Sequence, residues 1–94
     1  DVKDYFSQIF LMYDGPECMV ELVCENSLMK NIVDQFGENV TTSNVDKDRF
    51  CVKAEVCLSP TFYSWVFAYG GKMRITGPKE AVEGFEMMLH NFEK

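Results

Sequence analysis

Residues 1–15 carry large apolar side chains at a regular helical spacing. The spacing is i, i+3, i+4, i+7, i+8 and i+11, at Val2, Tyr5, Phe6, Ile9, Phe10 and Tyr13. It predicts an amphipathic helix that ends at the turn-forming residues 14–16. Because so wide an apolar stripe must be covered, we expect it to pack on this domain, on another domain or on a second copy of the chain. The predicted association residues are Tyr5, Phe6, Ile9, Phe10 and Tyr13.

Four later segments have the composition of β-strands. Residues 17–24, 50–58 and 72–76 alternate between apolar and polar positions, which is typical of half-buried strands. Residues 40–45 are rich in Thr and Val but less apolar, so we expect an edge strand there. In the two longest segments the apolar side consists of Cys18, Val20, Leu22 and Cys24, and of Phe50, Val52, Ala54, Val56 and Leu58.

Apolar residues at helical spacing predict two helices that follow strands. Asn26 or Ser27 can cap the first helix, which ends at Gly37. Pro78 is suited to start the second, because the first helical position needs no amide hydrogen. The predicted inner face of the first helix is Leu28, Met29, Ile32, Val33 and Phe36. The second helix carries Val82, Phe85, Met88, Leu89 and Phe92 on one apolar face.

Another helix is bounded by capping residues on both sides. Ser59 can accept amide hydrogens of its first turn, Pro60 fits its first position, and Gly70 can supply the left-handed residue that ends it. Its aromatic residues cannot all face one way, because positions two apart diverge by about 200° around a helix. We therefore predict aromatic anchors for a partner at Tyr63, Trp65 and Tyr69.

The predicted elements run helix, strand, helix, strand, strand, helix, strand, helix. Right-handed crossovers and a central hairpin fold this order into a ferredoxin-like split βαβ sandwich. This is an α+β fold with a four-stranded antiparallel sheet in the order 4-1-3-2, here with extra N-terminal and C-terminal helices. Residues 1–15 are predicted to be a helical connector and residues 16–94 the folded domain.

Alternation along the strands also predicts which side of the sheet stays open. The more apolar side should face the two crossover helices. The other side carries Glu21, Lys53, Glu55, Lys72 and Arg74, and the strand order would place Glu21 between Lys53 and Arg74. With apolar neighbours, such a face favours contact with a domain, a subunit or a charged effector. A solvated face with weak charge pairs is the alternative.

Length and charge limit the function classes. The 94 residues match one domain, and an apolar content of 47% excludes disorder. The net charge of −6 argues against direct binding to nucleic acid, because phosphate contacts need clustered Lys and Arg. No apolar run approaches the ~20 residues of a membrane helix, and no secretory leader is visible. We therefore expect a cytoplasmic protein. Because the chain begins at Asp1 without Met, we also expect it to be a segment of a longer protein or a processed one.

The cysteines and the single histidine, His90, indicate neither a metal site nor catalysis. Cys18 and Cys24 lie six residues apart on one strand, as do Cys51 and Cys57 on another. Six strand residues span about 20 Å, too far for a shared metal or a disulfide. No nucleophile, carboxylate or metal-ligand motif has a recognisable spacing. We predict reduced thiols and no metal, cofactor or enzymatic activity; a thiol redox sensor using Cys51 or Cys57 is an alternative.

Several of these residues resemble a known family. The patterns are Ser-Pro-x-Phe-x-x-Trp at residues 59–65, Gly-Gly-Lys-x-x-Ile at 70–75 and Pro-x-x-x-Val at 78–82, with Glu-Asn-Ser-Leu-Met at 25–29 and Asp-Gln-Phe-Gly at 34–37. Together they resemble the C-terminal extension (WCX) domain of bacterial WYL-domain transcriptional regulators over residues 16–89. Residues 1–15 are similar to the helical connector that follows the WYL core.

The resemblance implies a regulatory function. Such regulators combine a winged helix-turn-helix, a WYL core and this extension. The resemblance implies that this chain is a module for subunit association and effector-linked signalling. The regulator would bind DNA only through the missing N-terminal domain. The expected partners are the upstream domains, a second subunit in a homo-oligomer, and a small-molecule or nucleotide effector. An alternative is a small-molecule-binding regulatory domain, with its ligand on the sheet face or at a subunit seam.

Overall fold

A computed structural model describes residues 16–92 of the chain. This part contains one four-stranded antiparallel sheet with the order β2-β3-β1-β4. The order is the predicted one read from the opposite edge, so the ferredoxin-like α+β fold is confirmed. The strands are β1 (Glu17–Glu25), β2 (Thr41–Asn44), β3 (Arg49–Cys57) and β4 (Met73–Gly77). The helix predicted over residues 2–13, with its association residues Tyr5, Phe6, Ile9, Phe10 and Tyr13, lies outside the described residues.

Three α-helices and one 3₁₀ turn complete the described part of the chain. They are the 3₁₀ turn Asn26–Leu28, α1 (Met29–Phe36), α2 (Pro60–Phe67) and α3 (Lys79–Asn91). Within residues 16–92, none of these helices has the length and apolar content that a membrane crossing requires.

The start of α2 follows the predicted capping chemistry, whereas its end differs: α2 ends at Phe67 with Ala68 as its C-cap, so Gly70 lies in the following turn and does not end the helix. The Ser59 hydroxyl accepts a hydrogen bond from the Phe62 amide at 3.3 Å, and Pro60 occupies the first helical position. After the helix, Gly70 and Gly71 have φ angles of 62° and 94°. These left-handed conformations favour glycine, and they return the chain into β4.

The start of α1 differs from the prediction. Neither Asn26 nor Ser27 caps it, because both lie in the 3₁₀ turn that precedes it. The Asn26 side chain instead donates a hydrogen bond to the Lys47 carbonyl at 2.8 Å, and its amide donates to the Asp48 carbonyl at 2.9 Å. These bonds tie the end of β1 to the β2–β3 turn. Of the predicted inner face, Leu28 and Ile32 are buried, whereas Met29 is exposed, which corrects the prediction for that residue.

The core lies between the helices and the predicted apolar side of the sheet. A completely buried Val, Leu, Ile or Phe side chain stabilises the fold by about 1.5–3 kcal/mol relative to the same side chain exposed to water. Alternation therefore correctly predicted which side of each long strand is covered. Fully buried residues include Val20, Leu22 and Cys24 of β1, Phe50, Val52 and Val56 of β3, Ile32 of α1, Phe62 of α2 and Ala81 of α3.

Candidate interaction surfaces

The side of the sheet away from the helices forms the first candidate surface, here called the open face. In the β1–β3 register Glu21 is opposite Lys53, and Met19 is opposite Glu55. Met19 is 56% exposed, which is unusual for a methionine at the centre of a strand pair. The open face thus combines exposed apolar and charged side chains. It comprises Met19, Glu21 and Val23 of β1, Cys51, Lys53 and Glu55 of β3, and Arg74 and Thr76 of β4, with Lys72 just before β4.

The prediction that Glu21 lies between Lys53 and Arg74 is half right. Lys53 is its register partner on β3, but Arg74 is opposite Val23. The register of β1 against β4 shifts between Glu21 and Leu22, which places Gly77 opposite Glu21. The Glu21 carboxylate accepts a hydrogen bond from the Thr76 hydroxyl at 2.8 Å. Glu21 is therefore tied to β4 by Thr76 rather than by Arg74.

Three cations around the open face form no ion pair within residues 16–92: Lys53, Lys72 and Arg74. All three side chains are exposed. The ion pairs that the described residues do contain lie elsewhere, at Lys30–Asp34 on α1 and Asp46–Arg49 in the β2–β3 turn. The cations of the open face can therefore pair with acidic groups of a partner.

The cysteines lack the surroundings of reactive thiols. All four are thiols, and Cys57, predicted to be exposed, is only 3% exposed. Burial raises the pKa of Cys51, and the nearby Glu21 carboxylate raises it further. A reactive thiol needs a lowered pKa and access to solvent, so the raised pKa of Cys51 and the burial of Cys57 do not favour a redox sensor. Within residues 16–92, no group of three or more His, Cys, Asp or Glu side chains could hold a metal ion.

The aromatic anchors predicted on α2 are largely used inside the domain. Tyr63 is 8% exposed, so it is not available as a surface anchor. The half-buried Trp65 ring meets Phe36 and Tyr69 edge to face, with ring centroids 5.6 and 5.4 Å apart. These contacts hold α1 and the end of α2 together. Trp65 and Tyr69 therefore have at most part of their surface available to a partner.

The second candidate surface is a groove between α2 and α3, here called the helix groove. Its volume is about 600 Å³, and every lining side chain except one hydroxyl is apolar. Phe67 is 62% exposed and Phe92, from the predicted apolar face of the last helix, is 76% exposed. Phe92 directly follows Asn91, the last residue of α3. The lining residues are Ser64, Phe67, Phe85, Met88, Leu89 and Phe92.

A smaller depression of about 430 Å³, here called the β4 recess, adjoins the helix groove. Phe67, Phe85 and Leu89 line both depressions, so the two form one continuous surface. The recess adds two charged residues, Arg74 of β4 and Glu86 of α3. Sequence reasoning missed this surface; the available signal was the excess of aromatic residues on α2, which includes Phe67.

Comparisons with known proteins add no relative. The sequence matches no protein-family model and no curated protein. The resemblance to WYL-regulator extensions therefore stays a proposal. The observations that bear on function are the fold and its two exposed surfaces, the open face and the helix groove with its recess.

Proposed function

We propose that this chain is the C-terminal regulatory and association module of a WYL-type DNA-binding transcriptional regulator. Residues that carry the resemblance build the α2–β4 unit of the fold. Ser59 caps α2, and Phe62 is a completely buried residue of that helix. Gly70 and Gly71 form the left-handed turn into β4. The proposal is thus supported by a motif whose residues have defined structural roles.

The open face is the observation that carries the association role. One side of the sheet is covered by helices, while the other presents the exposed Met19 near Lys53, and Arg74 opposite Val23. Mixed apolar and charged surface of this kind is typical of protein interfaces. In the proposed regulator the open face contacts an upstream domain or another subunit.

The proposed module does not contact DNA itself. The chain has a net charge of −6, and the cations of the open face are too few for a phosphate-binding surface. DNA is bound by a winged helix-turn-helix elsewhere in the regulator, and this module biases the arrangement of the subunits. A small-molecule or nucleotide effector shifts that arrangement only by binding one form more tightly than the other.

The coding sequence upstream of this chain tests the proposal directly. We expect a winged helix-turn-helix followed by a WYL core in the same reading frame. In DNA-binding assays the whole regulator should bind its operator, and the 94-residue chain alone should not. A reading frame without a DNA-binding domain, or tight duplex binding by the chain alone, contradicts the proposal.

A charge reversal on the open face tests the association role. Lys53→Glu in the whole regulator should change its oligomeric state or its effector response. The matched control is Lys30→Glu on α1, which reverses the same charge at a site remote from the open face. Equal behaviour of both variants and the native regulator would exclude the open face as a contact surface.

A further inference from the structure

We infer that the helix groove and the β4 recess together bind a hydrophobic α-amino acid. The inference rests on the proposed function and deepens it, because it gives the effector of the regulator a site and a chemical class. The two depressions share Phe67, Phe85 and Leu89, so a single ligand can occupy both. Their volumes, about 600 and 430 Å³, lie in the range of small-molecule sites.

The helix groove is suited to the apolar side chain of such a ligand. Phe67 of α2 is mostly exposed, as is Phe92, which follows α3. The half-buried Phe85, Met88 and Leu89 complete the apolar part of the lining. An aromatic side chain buries about 150–250 Å² when it is fully enclosed, and apolar burial of this size is favourable. The groove therefore favours a ligand with a large aromatic side chain over one with a small side chain.

The β4 recess supplies two opposite charges for the other end of the ligand. Arg74 of β4 and Glu86 of α3 both line it, and both are exposed. Neither forms an ion pair within residues 16–92, although they border the same recess. The space between them can hold a group that carries both charges. An α-amino acid is such a group, because its carboxylate can pair with Arg74 and its ammonium group with Glu86.

The two charges disfavour simpler ligands. A fatty acid would place its carboxylate near Glu86, and an apolar amine would place its charge near Arg74, so each would meet a like charge. The phosphoryl groups of a nucleotide need clustered cations, whereas Arg74 is the one cation among the described residues that line the recess. Because β4 is an edge strand, Arg74 also borders the open face, so a bound amino acid would change the charge that this face presents.

Titration of the 94-residue chain with L-phenylalanine, followed by amide NMR spectra, tests the inference. The amide signals of residues that line the groove and the recess should shift, with a dissociation constant below about 1 mM. Three comparison ligands each lack one feature: phenylpropionate lacks the ammonium group, phenethylamine lacks the carboxylate, and L-alanine lacks the ring. Each should bind at least about threefold more weakly, because one contact is lost.

Charge-neutral variants separate the two polar contacts. Arg74→Gln should weaken L-phenylalanine binding at least about threefold but should not weaken phenethylamine binding, since that ligand has no carboxylate. Glu86→Gln should likewise weaken binding of L-phenylalanine and not of phenylpropionate. The matched controls are Lys53→Gln on the open face and Glu83→Gln on α3, because neither residue lines the groove or the recess. Both controls should keep the native affinity. All four side chains are exposed, so the variants should keep their fold, which circular dichroism checks.

Three results would overturn the inference. One is a dissociation constant above about 1 mM for L-phenylalanine. Another is an affinity that is equal for the two singly charged analogues, or unchanged in both Arg74→Gln and Glu86→Gln. The third is a set of groove signals that shift with protein concentration and not with the amino acid, which would assign the groove to a protein partner. None of these results refutes the regulator assignment, which depends on the upstream reading frame and on the open face.

Discussion

Replacing Gly84 with Ala tests how tightly α3 packs against α2. A β-carbon added at Gly84 would overlap the Tyr63 hydroxyl oxygen and lie 3.0 Å from Cζ of the same ring. The ring cannot easily move away, because Tyr63 is buried and packs against Phe62 and Phe85 with centroids 5.7 and 5.9 Å apart. The position therefore requires glycine for reasons of space.

Two effects of opposite sign set the magnitude. Helix propensity alone predicts that Ala at an interior helix position stabilises by about 1 kcal/mol relative to Gly. Overpacking against a fixed neighbour costs about 1–3 kcal/mol. Because the overlap involves a held ring, we expect overpacking to win and the free energy of unfolding to fall by about 1 kcal/mol. Urea denaturation, followed by Trp65 fluorescence, should then show a midpoint lowered by about 0.5 M.

A double-mutant cycle with Tyr63→Phe separates the two effects. Removing the hydroxyl removes the closest overlap, so Gly84→Ala should be less harmful in the Tyr63→Phe background by about 1 kcal/mol. Glu83→Ala, on the exposed side of the same helix, is the control and should change stability by less than about 0.5 kcal/mol. A Gly84→Ala variant more stable than the native protein, with no coupling to Tyr63, would refute the packing argument.

Three further predictions concern the turns and the titrating groups. Gly71→Ala should destabilise the folded protein by about 1–2 kcal/mol. The cause is backbone strain alone, because φ is 94° and the added β-carbon meets nothing within 4 Å. Gly71→Asn should destabilise the protein less in the same urea assay. The hydrogen bond from Arg49 lowers the pKa of Asp46, so the ionised carboxylate stabilises the fold at pH values above its unfolded pKa. This stability should be lost as the pH falls through the folded pKa. In Asp46→Asn this part of the pH dependence should be absent. Burial raises the pKa of Cys24 from 9.0 to about 12. A thiol reagent at pH 8 should therefore label Cys24 far more slowly than Cys51. Equal labelling rates would contradict this prediction.

The thiol prediction also has a consequence for alkaline stability. The pKa of Cys24 is higher in the folded than in the unfolded chain, so the protonated thiol adds to the free energy of unfolding. This added stability is fully present below the unfolded pKa near 9.0 and is lost as the pH rises toward about 12. Cys24→Ala should flatten this alkaline decline in unfolding experiments. If Cys24→Ala loses stability at alkaline pH as steeply as the native protein, the loss is caused by titrating groups other than Cys24.

Within residues 16–92, local pattern was sufficient for the strands, the α-helices, the sheet order and the covered side of the sheet. Alternation along β1 and β3 predicts side-chain direction because successive strand residues point to opposite faces. The capping role of Ser59 and the left-handed Gly70 were also predictable, since both depend on neighbours within a few residues. The fold follows from these local features because few topologies connect such elements.

Tertiary structure decided the surfaces. The register shift that places Arg74 opposite Val23, and the bond that takes Asn26 away from capping, both involve partners distant in sequence. The exposure of Phe67 and Phe92 is likewise not predicted by the periodicity of their helices. A residue's own pattern predicts the face it occupies, but whether another element covers that face is a property of the whole packed chain.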